Sequence, residues 1–391
     1  MAGDRRAAPV HFVWRQLARR QHGCGCAFAR DRSAAIRRIV LTGGGTGGHI
    51  YPALAIAEIL RERSPTPPQL LFVGSRHGLE AQLVPAADVS IRFVASHPLS
   101  RRFSVDFVRT VLCNLIGIAQ SLNVLRRFRP DCVIATGGYV AFPVVVAARL
   151  LRLLRWSRTR VALVEPNAAP GLVNRLLAPL IDEVWHETPV RSAITRQLDP
   201  RQARRSLGLA PDATTIVVMG GSQGARRLND AVVEAAANRR FPAAWQVLLL
   251  TGAREWERVR DRGVGGECAG VRMLPYLDDL AQAYAAADLV VARAGASTLA
   301  ELGATGTPAV LVPYPHATGD HQMKNAQEMR ARGVARIVPD AELDGPRLVL
   351  EIRAALEADV AQHMREAARR DARDDVPGRL FARIAQLAAR G

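Results

Sequence analysis

The chain has 391 residues, enough for two or three domains of about 150 residues, and its 49% apolar and 23% charged composition excludes a wholly disordered, collagen-like or disulfide-scaffold protein. Arginine and lysine number 53 against 36 acidic residues, a formal charge of +17, and Lys324 is the single lysine. Such an excess suits phosphorylated substrates, anionic membranes or nucleic acid without choosing among them, and composition bias alone also produces an arginine-rich chain.

Residues 1–37 are arginine-rich, and their apolar run over 7–14 is broken by His11, too weak for a secretory signal. They are expected to lie outside the fold, as a disordered extension, with an organellar-type presequence or a misplaced start as the other readings. The five cysteines, Cys24, Cys26, Cys113, Cys132 and Cys268, are odd in number and mostly sit in apolar runs, which favours a reducing compartment. No transmembrane span is expected: the longest charge-free stretch considered, 132–148, contains Gly137, Gly138 and Pro143 and falls short of about 20 apolar residues.

From residue 38 short β-branched runs alternate with longer helical segments, which predicts α/β units with parallel sheets. Strands are predicted at 39–41, 70–73, 132–135 and 161–164, with a helix over 53–63 after the first. A polar, arginine-rich stretch over 189–209 reads as a linker and helix. The pattern then restarts, with strands at 215–219, 247–250, 289–292 and 309–312 and a helix from about Arg226. Two similar halves imply two Rossmann-like domains facing across a cleft. The expected units are the extension 1–37, a first domain 38–187, a second domain 188–370 and a C-terminal helix 371–391 packing back on the first.

Both halves open on a strand and a glycine-rich turn, a pairing that offers backbone N–H groups and a helix dipole to phosphate. The first turn, Gly43-Gly44-Gly45-Thr46-Gly47-Gly48-His49, satisfies the dinucleotide fingerprint, but Val73-Gly74-Ser75-Arg76 stands where a ribose-binding acid belongs, so a dehydrogenase is disfavoured. Neither turn supplies the Gly-Lys-Ser/Thr of a triphosphate P-loop. His49 follows the glycines into the first helical turn, where a group titrating near neutrality can take a proton from a hydroxyl nucleophile. In the second half Ser297 or Thr298 is expected to cap a helix and leave Glu301 one turn inside it. That acid serves either as a capping partner or as an acceptor for a ribose diol.

Five motifs in one order resemble those of the MurG family, the bacterial UDP-N-acetylglucosamine:lipid I N-acetylglucosaminyltransferases of peptidoglycan synthesis. They are Val40 through Pro52, Thr136-Gly137-Gly138-Tyr139-Val140, Gly220-Gly221-Ser222-Gln223-Gly224-Ala225, Arg293-Ala294-Gly295-Ala296-Ser297-Thr298 with Glu301, and Asp320-His321-Gln322 with Asn325-Ala326. The resemblance runs from about residue 38 to the C-terminus. It implies a GT-B fold, an N-terminal acceptor domain, a C-terminal donor domain, and inverting transfer of GlcNAc from UDP-GlcNAc to the C4 hydroxyl of lipid I, giving lipid II.

By matching positions the resemblance places Thr46, Gly47 and Gly48 at the transferred sugar and lipid pyrophosphate, with His49 as base and Tyr139 and Asn167 bordering the acceptor. On the donor side it places Ser222 and Arg191 at the UDP phosphates and Leu277 at uracil. Ala296, Ser297, Thr298, Leu299, Ala300 and Glu301 hold the nucleotide, Glu301 on the ribose, and Gln322, with His321 beside it, faces the GlcNAc hydroxyls. No cofactor or obligatory metal is expected, since no Asp-x-Asp ends a strand. Two motifs differ from the family's. Its Gly-Asn-Pro-Val-Arg appears as Glu187-Thr188-Pro189-Val190-Arg191, setting a carboxylate where it would repel the UDP phosphates, and its Glu-Gln-Asn appears as Glu165-Pro166-Asn167.

Phe103, Phe107, Val111 and Leu115 recur at helical spacing among Arg101, Arg102, Arg109, Arg126 and Arg127, and Leu151, Leu154 and Trp156 lie among further arginines. With a lipid-linked acceptor, this predicts a peripheral enzyme on the cytoplasmic face of the membrane, held to anionic lipid. Sparse aromatics and the lack of a nucleic-acid module exclude nucleic acid as partner. Two other readings stay open: a related GT-B enzyme acting on another lipid acceptor or as a UDP-sugar epimerase, and a non-catalytic membrane-binding homologue.

Overall fold

The computed structural model describes residues 36–390 apart from 46, 99–104, 168–171, 222, 263–269 and 373–374. The arginine-rich extension expected to be disordered thus lies, but for its last two residues, outside the described residues, as do Arg101, Arg102 and Phe103.

The first half runs β1 Arg38–Thr42, α1 Gly47–Arg63, β2 Gln69–Gly74, α2 Glu80–Ala86, β3 Ser90–Phe93 and α3 Val105–Phe128. It continues with β4 Cys132–Ala135, α4 Ala141–Leu153, β5 Arg160–Val164, α5 Leu172–Leu177 and β6 Glu183–Trp185. After α6 Pro200–Ser206, the second half has β7 Thr214–Met219, α7 Arg226–Ala237, β8 Trp245–Leu250, α8 Trp256–Arg260 and β9 Val271–Leu274. Then come α9 Leu280–Ala286, β10 Leu289–Ala292, α10 Ala296–Thr305, β11 Ala309–Leu311, α11 His321–Ala331 and β12 Ala335–Ile337. The chain closes with α12 Gly345–Leu356, α13 Ala358–Ala372 and α14 Val376–Ala389.

The strands form two six-stranded parallel sheets, ordered β3-β2-β1-β4-β5-β6 and β12-β11-β10-β7-β8-β9. Val40 sits between Leu71 and Val133, and Val217 between Leu248 and Val290. Both sheets reverse strand order at one place, between β1 and β4 and between β7 and β10, and such switch points leave a crevice at the C-terminal strand ends. Every glycine-rich motif singled out in the sequence falls at one of these four strand ends.

Strands buried on both faces read as continuous apolar runs, because helices cover each side. Ile39, Leu41 and Phe72 pack against α1 on one face of the first sheet, while Val40, Val133 and Val144 pack on the other. Full burial of each such side chain stabilises by roughly 1.5–3 kcal/mol. The helix after β1 begins at Gly47, earlier than the 53–63 read from periodicity, because the glycines themselves enter the first turn.

The last helix returns to the first sheet. Leu380, Ile384 and Leu387, spaced four and three apart, bury themselves with Ile39, Ile56 and Trp185. Its start is set by Asp375, whose side chain accepts from Gly378 N, with a proline inside the first turn. Beside it, Arg383 donates to both carboxylate oxygens of Glu187, at 2.8 and 2.9 Å. The repulsive carboxylate expected at this junction is therefore compensated by a guanidinium from the far end of the chain.

One helix runs further than the apolar stripe read from the sequence. By length and composition alone, α3 is apolar enough over Phe107–Phe128 to cross a membrane, and most of that stretch is not buried. It packs along α4, burying Ser121 and Leu125. Its opposite face exposes Val108, Val111, Leu112, Leu115 and Ile116, a broader stripe than the sequence suggested. Nearby on the chain Leu153 is 76% and Trp156 62% exposed, and Arg126 lies over the Trp156 ring at 4.6 Å. Leu151, assigned to this surface from its spacing, instead points into the core at 2% exposure.

Candidate active site

The β1 turn is built by close approach. Gly45 has φ +89°, and at Gly138, with φ +80°, a Cβ would lie 2.3 Å from the Gly44 carbonyl, so the β1 and β4 turns touch only as glycines. The loop is held from beneath by Glu80, a fully buried acid that sequence reasoning missed. Its carboxylate accepts from Ser75 Oγ at 2.7 Å, Ser75 N at 3.0 Å and Gly45 N at 3.2 Å. The Tyr139 ring leans on Gly45 from the other side, its hydroxyl 3.5 Å from Ser75 Oγ.

His49 projects from the first turn of α1 toward β4. Its Nδ1 is 2.8 Å from the Thr136 carbonyl oxygen. A carbonyl only accepts, so Nδ1 carries the proton and Nε2 is left with its lone pair. Thr136 Oγ1 donates back to the His49 carbonyl at 2.6 Å. Burial depresses the imidazole pKa below 6.5, opposed by the Thr136 bond and the Glu165 charge and assisted by His321 from the second half. The result is a neutral imidazole at neutral pH.

Glu165, 1% exposed at the end of β5, gathers the next layer. It accepts from Asn174 Nδ2 at 2.6 Å and from Asn167 N and Nδ2, both at 3.1 Å. Asn325 Nδ2 on α11 then reaches Asn167 Oδ1 at 3.4 Å and the Ala294 carbonyl at 3.2 Å, so one amide bridges the two halves. A second bridge joins Tyr51 to Tyr276, with hydroxyls 3.3 Å apart. Burial and that contact push the Tyr51 pKa up to about 12.

Arg191 lies at this crossing, its guanidinium 4.8 Å over the Tyr51 ring and its buried Nε without a hydrogen-bond partner. A cation with an unused donor is suited to an anion, and the charge of Arg191 reaches Glu301 on the helix after β10. That helix, α10, is capped by Gly295 and not by Ser297 or Thr298, and no side chain makes the capping bond. Ser297 Oγ is buried without a partner, which corrects the expected cap. Glu301 lies inside the helix, its Oε2 accepting from Tyr284 O–H at 2.7 Å. Burial raises its pKa, while Tyr284 and Arg191 pull it down. Arg293, from the same motif, is occupied structurally: it pairs with Asp340 at 2.5 Å and bonds the Val312 carbonyl.

Leu277 packs half-buried on the second core beside α9. Gln322, in the first turn of α11, accepts from Tyr314 N at 2.9 Å, which leaves its amide NH2 to donate. The bridges bring His49, Asn167, Arg191 and Glu301 around one crevice. Thr46 and Ser222 lie outside the described residues. A cavity of about 1890 Å3 shares Asn167, Ala296 and Tyr284 with this crevice and continues past Glu187 and Arg383 along the linker. Among the described residues no group of three His, Cys, Asp or Glu side chains converges as a metal site.

Tyr284 was not singled out in the sequence, and Asn325, named there only as part of a motif, gave no sign of its partner Asn167 on the other half. Glu80 had one available signal, an acid in an otherwise apolar helical run.

Two parallel six-stranded sheets facing across a crevice define the GT-B fold. Residues 39–185 match the N-terminal domain of glycosyltransferase family 28 and residues 215–376 its C-terminal domain. The chain belongs to this family and is a glycosyltransferase enzyme.

The UDP-N-acetylglucosamine–N-acetylmuramyl-(pentapeptide) pyrophosphoryl-undecaprenol N-acetylglucosamine transferase of Halothermothrix orenii is 38% identical over 337 residues, 80% of this chain and 88% of that one. The enzyme of the same name from Moorella thermoacetica is 40% identical over 333 residues, with the same coverage. Among solved structures, Acinetobacter baumannii MurG superposes with a TM-score of 0.69 at 25% identity, covering 90% of this chain and 99% of that one. The calicheamicin glycosyltransferase CalG4 shares the fold, with a TM-score of 0.61 at 18% identity and coverage of 90% and 98%.

Proposed function

We propose that this enzyme moves GlcNAc from UDP-GlcNAc to the C4 hydroxyl of undecaprenyl-pyrophosphoryl-MurNAc-pentapeptide, lipid I, forming lipid II with inversion at the anomeric carbon. The observation that carries the reading is the Nδ1–H bond from His49 to the Thr136 carbonyl, which leaves Nε2 as an oriented, neutral acceptor at the crevice. Nε2 takes the proton as the C4 oxygen forms its bond to the anomeric carbon and the bond to UDP breaks on the opposite face. The negative charge gathering on UDP is stabilised by the N-terminal amides of α10 and by Arg191.

On the donor side Ser222 and Arg191 meet the diphosphate, Leu277 presents backbone groups to uracil, and Ala296, Ser297, Thr298, Leu299 and Ala300 wrap the nucleotide, with Glu301 on the ribose. Gln322, with His321 beside it, donates to GlcNAc hydroxyls. On the acceptor side Thr46, Gly47 and Gly48 line the sugar and lipid pyrophosphate, bordered by Tyr139 and Asn167. The acceptor domain spans 38–187 and the donor domain 188–370, with 371–391 returning to the first.

The exposed stripe of α3, with Leu153, Leu154 and Trp156, inserts into the cytoplasmic face of the membrane, where arginines meet anionic headgroups and place the crevice beside its lipid substrate. Incubating the protein with labelled UDP-GlcNAc and a short-chain lipid I analogue tests the reading. The labelled disaccharide product is expected, and its absence while UDP-GlcNAc still binds overturns the acceptor assignment.

A further inference from the structure

The acid assigned to the ribose does not stand alone. Tyr284, on α9, is 4% exposed, and its hydroxyl donates to Glu301 Oε2 at 2.7 Å across to α10. Burial and the Glu301 charge hold the phenol pKa well above 10, so the hydroxyl stays protonated and remains the donor. The ring is locked in the core of the second half with Leu299, Leu302 and Ala292, so this donor has no freedom to follow the carboxylate.

A glutamate has three side-chain torsions, the last broad and soft, and a carboxylate recognising two neighbouring hydroxyls must present a fixed plane. We propose that Tyr284 is a positioning residue for the nucleotide: by holding Oε2 of Glu301 it fixes the carboxylate so that its remaining acceptor sites meet the vicinal diol of a nucleoside diphosphate's ribose. The inference rests on the ribose role of Glu301 proposed above. α9 begins three residues after Leu277, whose backbone is assigned to uracil, so the Tyr284 bond makes base and sugar recognition one rigid unit. Prior fixing of the carboxylate removes an ordering cost that binding would otherwise incur. The other charged group that reaches Glu301 is Arg191 from the linker, and the Glu301 charge in turn helps keep the Tyr51 phenol on α1 protonated.

The test is calorimetric titration of UDP and of 2′,3′-dideoxy-UDP into wild type, Tyr284→Phe, Glu301→Gln and the double variant. Tyr284→Phe keeps the ring and its packing. It is expected to weaken UDP about tenfold, the worth of a hydrogen bond to a charged acceptor, and to leave the dideoxy probe unchanged. In the double variant UDP affinity is expected to match Glu301→Gln alone. Equal weakening of both probes by Tyr284→Phe assigns the tyrosine to packing and overturns the inference. So does unchanged UDP affinity in Tyr284→Phe when Glu301→Gln weakens it. Unchanged UDP affinity in Glu301→Gln is a separate failure, that of the ribose reading itself.

Discussion

His49 and Thr136 hold each other by two hydrogen bonds, Nδ1 to the Thr136 carbonyl at 2.8 Å and Thr136 Oγ1 to the His49 carbonyl at 2.6 Å. The first turn of α1 is thereby fastened to the end of β4, and the imidazole tautomer is set by backbone, which substitution at Thr136 does not remove.

His49→Ala is expected to lower kcat by about 10²–10⁴-fold, the usual share of a general base, while UDP affinity stays within twofold of wild type. Wild-type turnover of the labelled disaccharide by this variant rejects His49 as the base. Because burial depresses the pKa below 6.5, the acid limb of the kcat profile should have its midpoint under 6.5. The folded imidazole binds fewer protons than the unfolded one. Its contribution to stability is therefore present above about pH 6.5 and is lost as pH falls through the folded value. A midpoint above 6.5 contradicts this assignment.

Glu80→Ala leaves the Gly45 and Ser75 donors without their buried acceptor. Each unsatisfied group costs about 1–3 kcal/mol, so urea denaturation should show a loss of about 3 kcal/mol, with a raised KM for lipid I from the loosened loop. A loss below about 0.5 kcal/mol, the ordinary surface range, counts against the loop-holding role.

Arg383 and Glu187 are the two ends of an electrostatic repair. Arg383→Ala should uncover the Glu187 carboxylate beside the linker and weaken UDP more at low salt than at high salt. Adding Glu187→Gln should restore most of that affinity. The pair is only partly buried, so its coupling in folding stability is expected to be about 1 kcal/mol by double-mutant cycle. A double variant no better than Arg383→Ala at binding UDP shows that the carboxylate does not reach the phosphates.

Leu153→Glu and Trp156→Glu should leave the melting temperature within about 2 °C, since both side chains are mostly exposed, while reducing sedimentation with anionic vesicles several-fold. Wild-type binding should fall as salt rises. Equal binding to neutral and anionic vesicles at every salt concentration removes the membrane face.

The α/β class, the eight inner strands and the four glycine turns were legible in the sequence, because buried parallel strands write themselves as β-branched runs and turns at strand ends demand glycine, whereas the edge strands β3, β6, β9 and β12, buried less continuously, were not read. His49 and Glu301 were singled out by their place just after the β1 and β10 turns, and Gln322, on α11, by the resemblance alone. Leu151 was misplaced because helical spacing does not say which side of α4 meets the sheet. The cap at Ser297 was misread because a capping residue is defined by backbone angles, and here Gly295 takes them.

What the sequence determined by itself was local: which segments are inner strands, where the backbone must approach closely, and which side chains stand at their ends. Only the tertiary structure decided the pairings: Glu80 under Gly45, Arg383 on Glu187, Asn325 on Asn167 and Tyr284 on Glu301. These partners lie 35, 196, 158 and 17 residues apart. No periodicity in a single chain records such distances, because a hydrogen bond between elements exists only once apolar burial has brought the two sheets and the returning helix together.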